Sequence, residues 1–161
     1  MRKIVHYPHE CLTIPTRPVT RLSKDVLSLL DEMLVIMESE NGVGLAANQL
    51  GESIRMAVVK MDDETGLFEM LNPKIISKSK TTTLEVEGCL SFPGVYGTVE
   101  RAAEVTVRYV DRDGYEIEVD VTDDLARIMQ HEIDHLDGLI FTDKFIEQVS
   151  EEEFERLGEE E

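Results

Sequence analysis

Between residues 23 and 39, apolar side chains recur at three- and four-residue spacing: Val26, Leu29, Leu30, Met33, Leu34 and Met37. That period predicts a helix with one buried face, with Ser23 as its N-cap and Asn41-Gly42 as its end. The methionines read as core filling. The pattern then changes to short runs and alternation. Ile54 to Lys60 and Leu67 to Leu71 flank a turn at Asp62-Asp63-Glu64-Thr65-Gly66, and strands follow at Ile75 to Ser79 and Thr82 to Val86. Val105 to Val110 and Tyr115 to Val121 flank Asp111-Arg112-Asp113-Gly114, a strong hairpin signal. A second helix is predicted from about Asp123 to Asp137, with Thr122 as N-cap, Asp123 and Asp124 on its positive end, and Gly138 just past its end. Its apolar residues, Leu125, Ile128, Met129, Ile133 and Leu136, spread around the cylinder, so it should be buried on several sides. A short acidic helix from Ser150 to Leu157 closes the chain. Pro8, Pro15 and Pro18 make residues 1–20 an extended, wrapping segment. There is no repeat or linker, so residues 1–161 are expected to form one domain of α+β class with mainly antiparallel sheets.

Charge narrows the partners. The 34 acidic residues against 16 basic ones leave a net −18, and eight glutamates and one arginine fall in the tail from Glu147 to Glu161. Such a chain offers no surface for nucleic acid, which needs clustered Lys and Arg. The longest apolar cluster, around Met33 to Met37, is too short for a membrane span, and the start resembles no targeting segment. Two cysteines, Cys11 and Cys89, point to reduced thiols and a cytoplasmic setting rather than a disulfide framework.

The chemistry concentrates in His131-Glu132-Ile133-Asp134-His135. On a helix, imidazoles four residues apart share one face and can hold one metal ion, with the intervening Glu132 placed as a general base. Ile128 shares the face of His131 and would line an apolar pocket beside it. A catalytic metal of this kind takes a third protein ligand. Phe141 occupies the position where one such motif carries a third histidine. Glu155, about twenty residues past His135, is a candidate by analogy with two-His, one-Glu sites. Cys89, in Glu87-Gly88-Cys89-Leu90-Ser91, is another, and a thiolate with two imidazoles suits Zn²⁺ or Fe²⁺. Pro93 and Gly94 are expected to end the Cys89 strand. If Cys11 joined Cys89 and the histidines, the site would instead be a closed structural one. Finally, Gly42-Val43-Gly44-Leu45-Ala46-Ala47-Asn48-Gln49 describes a backbone that packs tightly or lies against a ligand.

Together, Gly42 to Gln49, Glu87 to Ser91 and His131 to His135 resemble the peptide deformylase family. Its three motifs, G-φ-G-φ-A-A-x-Q, E-G-C-φ-S and H-E-φ-D-H, appear here in order, with Asn48 where proline is often found. The resemblance implies removal of the formyl group from N-formylmethionyl nascent peptides, with release of formate. It implies antiparallel sheets around a central H-E-x-x-H helix and one divalent ion held by Cys89, His131 and His135. Fe²⁺ is the expected ion, with Zn²⁺, Ni²⁺ and Co²⁺ as alternatives. Glu132 would move the proton, and Gln49 and the backbone N–H of Leu90 would stabilise the oxyanion. Val43 and Gly44 would flank the peptide, Ile128 would line the methionine pocket, and Glu87 would pair with Arg101. The acidic tail argues against docking to ribosomal RNA through the C-terminal helix.

Overall fold

The computed structural model describes residues 1–160, so the final residue of the acidic tail, Glu161, lies outside it. Helix α1 spans Lys24–Ser39, and the Ser23 hydroxyl accepts a hydrogen bond from the Val26 N–H, as an N-cap should. Eight strands follow: β1 (Gly44–Ala46), β2 (Met56–Lys60), β3 (Leu67–Lys78), β4 (Thr82–Cys89), β5 (Phe92–Ala102), β6 (Glu104–Val110), β7 (Glu116–Thr122) and β8 (Phe145–Val149). Helix α2 (Asp123–Leu136) lies between β7 and β8, and α3 (Glu151–Glu160) ends the chain. The strands make two sheets, ordered β1-β2-β3-β6-β7 and β4-β5-β8, and every strand pair is antiparallel. The α+β class holds. No described helix is long and apolar enough to cross a membrane.

The larger sheet is covered on both faces. Its β2 reads Met56-Ala57-Val58-Val59 without a polar break because alternate side chains enter two cores. Ala57 and Val59 join Met129, Ile133 and Leu136 of α2, while Met56 and Val58 join Leu30, Met33 and Met37 of α1. A third cluster, Leu12, Phe92, Ile140 and Phe141, fills the space beside the smaller sheet. The first twenty residues wrap as expected. They add a short 3₁₀ turn at Glu10–Thr13 and tie into the rest through backbone bonds such as Thr16 N–H to Leu136 carbonyl at 2.9 Å.

Several sequence expectations need correction. The strands expected at Leu67 to Leu71 and Ile75 to Ser79 are one long strand, β3. Asn72 has φ +53° and a bulge shifts the register between Leu71 and Lys74, so the alternation breaks while the strand continues. Pro93 and Gly94 do not end a strand but lie inside β5, between Phe92, opposite Cys89, and the pairing that resumes at Gly97. A bulge interrupts the ladder there, so the missing proline N–H costs little. β1 and β8 carry too short a pattern to be read. Thr122 precedes α2 but its side chain makes no cap bond.

Gly138, past the end of α2, has φ +78°, and a Cβ there would lie 2.9 Å from the backbone of Ile14 and Pro15. It therefore both ends the helix and lets the wrapping segment dock. Gly138→Ala is expected to cost about 2 kcal/mol or more, the left-handed penalty plus the collision, read as a lower urea midpoint at unchanged slope.

Candidate active site

Both motif-bearing segments outside α2 are held by hydrogen bonds that the wrapping segment completes. The Val5 N–H donates to the Gln49 carbonyl at 2.7 Å, and the Tyr7 N–H to the Ser91 carbonyl at 3.0 Å. Residues Ala47–Leu50 form a buried 3₁₀ turn. Within it the Gln49 Oε1 accepts from the Ala46 N–H at 3.0 Å. That bond decides which end of the amide faces the site: Nε2 points to Ser91 Oγ (3.2 Å) and Cys89 Sγ (3.6 Å).

One turn of α2 separates His131 from His135, and both rings are buried. Their ring nitrogens and Cys89 Sγ lie within 4.8 Å of one another, with Sγ 3.2 Å from His135 Nε2. Among the described residues this is the only group of three or more such donors gathered at one point. Cys11 and Glu155 are not in it, so the closed four-ligand reading and the two-His, one-Glu reading lack their extra ligand. His9 is locally bonded, its Nδ1 accepting from the Cys11 N–H. The donor set fits a borderline-soft divalent ion: one sulfur and two imidazole nitrogens, three protein ligands with room for a fourth.

What orients this group is a buried carboxylate. Glu87, two residues before Cys89 on β4, accepts from Arg101 Nε at 2.5 Å and Nη2 at 2.8 Å, and from Arg127 Nη1 at 2.6 Å. Its Oε1 also stands 2.9 Å from His131 Nδ1. With Nδ1 engaged, Nε2 is the nitrogen His131 presents toward Cys89. Arg101 continues to Asp134 (2.9 Å), which also pairs with Lys144 (2.8 Å). Burial alone would raise the Glu87 pKa, but the hydrogen bonds from Arg101 and His131 outweigh it and hold the carboxyl well below the ordinary range. Burial likewise works against charge on His131, yet hydrogen bonds to Cys89 and Glu87 push its pKa up to about 10. The same anions that favour a proton there favour a metal cation. Burial, then the charge of His131, lowers the His135 pKa.

Glu132 behaves differently. It is 5% exposed, its Oε1 has no hydrogen-bond partner, and burial raises its pKa to about 7. Gly44 is what makes room for it: a Cβ at Gly44 would collide with the Glu132 carboxylate. The unpartnered carboxylate borders a cavity of about 690 Å³ that also touches Val43, Gly44, Gln49, Cys89, Leu90, Ile128 and His131. The nine residues to which the resemblance gave roles therefore lie together, eight of them bordering the cavity and His135 gathered with Cys89 and His131, whereas Cys11 and Glu155 stay outside.

A family model described as Polypeptide deformylase matches residues 1–151. The chain belongs to the peptide deformylase family. It is 44% identical over 153 residues to peptide deformylase 1 of Bacillus subtilis, covering 95% of each chain. The crystal structure of the peptide deformylase from Thermotoga maritima superposes with TM-score 0.87 at 32% identity, over 90% of this chain and 97% of that one. A class I type b peptide deformylase from Acinetobacter baumannii, bound to Met-Ala-Ser, superposes with TM-score 0.85 at 34% identity, over 89% and 98%. The chain is thus a hydrolase of the kind that removes N-formyl groups from nascent peptides.

Sequence reasoning missed several residues of this deformylase site. Arg127 sits one turn before His131, and the i, i+4 spacing could have flagged it. Besides Glu87 it donates to the carbonyls of Val99 and Thr83, joining α2 to β4 and β5. Asn48 donates to the His135 carbonyl at 2.5 Å, a contact with no sequence signature. The buried pairing predicts a contrast. Arg101→Met removes two of the Glu87 hydrogen bonds and leaves the buried carboxylate only Arg127 and His131, which should cost about 3 kcal/mol. Arg108→Met, which removes only exposed pairs with Glu116 and Glu118, should cost under about 1 kcal/mol in the same urea titration.

Proposed function

We propose that the convergent residues divide the deformylation of N-formylmethionyl peptides among themselves. The observation that carries the assignment is the unpartnered Glu132 carboxylate in the cleft, beside three gathered metal donors. Cys89, His131 and His135 hold one divalent ion, Fe²⁺ as the working ion with Zn²⁺, Ni²⁺ and Co²⁺ as substitutes. When bound, the ion acts as a Lewis acid, lowering the pKa of a water and polarising the formyl oxygen.

Glu132 takes the proton of the attacking water, a task suited to a carboxylate whose pKa is raised to about 7. The new C–O bond puts negative charge on the formyl oxygen. Gln49 Nε2, whose amide is already oriented, and the Leu90 N–H donate to that oxygen. The formyl C–N bond then breaks, Glu132 delivers its proton to the departing amine, and formate leaves.

Substrate binding follows from the sheet order. β1 ends one sheet and β4 ends the other, and both of these strands border the cleft. An extended peptide lying between them can pair with unpaired backbone groups around Val43 and Gly44 and along β4. Ile128, Val43 and Val86 supply apolar walls for the methionine side chain, and the Met-Ala-Ser ligand of the Acinetobacter relative supports that choice. In this reading α2 is the central metal-binding helix of one catalytic domain, residues 1–161. Its setting is cytoplasmic, and any transient contact with ribosomes does not run through the acidic tail.

Formate release from a formyl-Met tripeptide by metal-loaded protein tests the reading. Chelation should abolish it, and Fe²⁺ should restore it best; release that survives metal removal would sink the metal role. Glu132→Gln should keep the metal and lose about 10²-fold or more in kcat. Gln49→Leu should lose a comparable factor of about 10² with the metal retained. Cys89→Ser should instead weaken metal retention itself, measured by dialysis against chelator.

A further inference from the structure

The acidic C-terminal helix has no part in the chemistry above, yet it reaches the same cleft. Phe154 and Leu157 stand in a run of glutamates, and a helix so composed has little apolar surface to anchor it. Phe154 nevertheless finds a seat. Its ring stacks on Tyr96 of β5, with centroids 4.2 Å apart and planes 8° from parallel. Tyr96 in turn packs against the backbone next to a metal donor: a Cβ on Gly88 would meet its ring atoms at 2.7 and 2.9 Å. Contact therefore runs unbroken from the Cys89 segment through Tyr96 to α3. Both rings border the cavity that holds Glu132, and Phe154 remains 37% exposed, so a face is free for a ligand. The Glu151 carboxylate lies over Gly94, which borders the cavity too.

We infer that α3 forms the outer wall of the substrate cleft and that Phe154 is a specificity-determining residue, contacting the peptide beyond its first residue. The inference rests on the deformylase reading of the cleft. A peptide whose formyl end lies at Glu132 and whose methionine occupies the Ile128 pocket must lead its next residues outward. Pro93, Gly94, Tyr96 and Phe154 line the cavity there. Of these wall residues only Phe154 lies beyond residue 151, where the family match ends. A flat aromatic shelf contacts passing side chains by dispersion and stacking. Because the contact is remote from the reacting carbon, it is made equally in ground and transition states, and its loss should appear in KM rather than kcat.

The test compares formyl-Met amide with formyl-Met-Ala-Ser on the full-length, metal-loaded protein. Phe154→Ala should raise KM for the tripeptide relative to the amide by about fivefold, the scale of one aromatic contact, with kcat kept. Phe154→Tyr should restore the ratio. Arg156→Ser, on the opposite side of α3, should leave the ratio where it is. An unchanged ratio in Phe154→Ala, or an equal rise in KM for both substrates, overturns the inference while the deformylase reading stands. Absence of formate from both substrates with the unaltered protein overturns that reading, and the inference with it.

Discussion

The site is organised around the Glu87 carboxylate. It is buried, charged and shared among Arg101 on β5 and Arg127 and His131 on α2. Glu87 belongs to the smaller sheet, while α2 packs its apolar side into the core of the larger one. The carboxylate is thus the joint between the two halves. Taking such a group out of water costs several kcal/mol, and only complete pairing offsets that cost. Pairing of that quality demands fixed geometry. The geometry then fixes Cys89, two residues along β4, relative to His131, which Glu87 itself engages. The stability term and the alignment of the metal donors are one interaction.

The remaining polar burial follows the same logic. Gln49 is oriented by the Ala46 N–H and Ser91, and Asn48 holds the last turn of α2 through the His135 carbonyl. Each of these groups is nearly inaccessible to water. Among the described residues, three buried side-chain atoms lack a partner, Asn48 Oδ1, His135 Nδ1 and Glu132 Oε1, and of these only Glu132, beside Gly44, borders the cleft. An unpaired buried acceptor costs stability, and the same burial raises the Glu132 pKa. The cleft places that acceptor between two sheet edges. An edge strand is ordinarily a liability for aggregation, but here β1 and β4 both border the cleft.

Much of the site was legible before any coordinates because its chemistry is local. His131, Glu132 and His135 share a helix, so their spacing alone brings them together. The Gly-rich loop and the Glu87 to Ser91 segment declared themselves by unusual backbone residues in a compact motif, and family resemblance joined the three. Residues that act through long-range contact left less trace. Arg127 reads as an ordinary helix residue until β4 and β5 fold against it. Phe154 reads as an incidental apolar residue in a charged tail until Tyr96 appears beneath it. Glu155 and Cys11 show the opposite failure: plausible ligand types at plausible distances along the chain, but not brought to the donors.

The sequence by itself determined the elements with strong periodicity, α1, α2 and the β6–β7 hairpin, because burial of a stripe or an alternating face is written in three- to four-residue or two-residue repeats. It also offered the donor types and Glu132 as the candidate base. The tertiary structure decided the rest. It alone settled the partition of strands into two sheets, the continuation of β3 through Asn72, the existence of β5 from Phe92 to Ala102, which the sequence reading left out, and the choice of Cys89 over Glu155 beside the histidines. It also set the seat of α3 at the cleft. The reason is common to all of these. Strand partners, buried ion pairs and third ligands are set by contacts between residues far apart in the chain, and one-dimensional spacing carries no record of which distant surface will meet which.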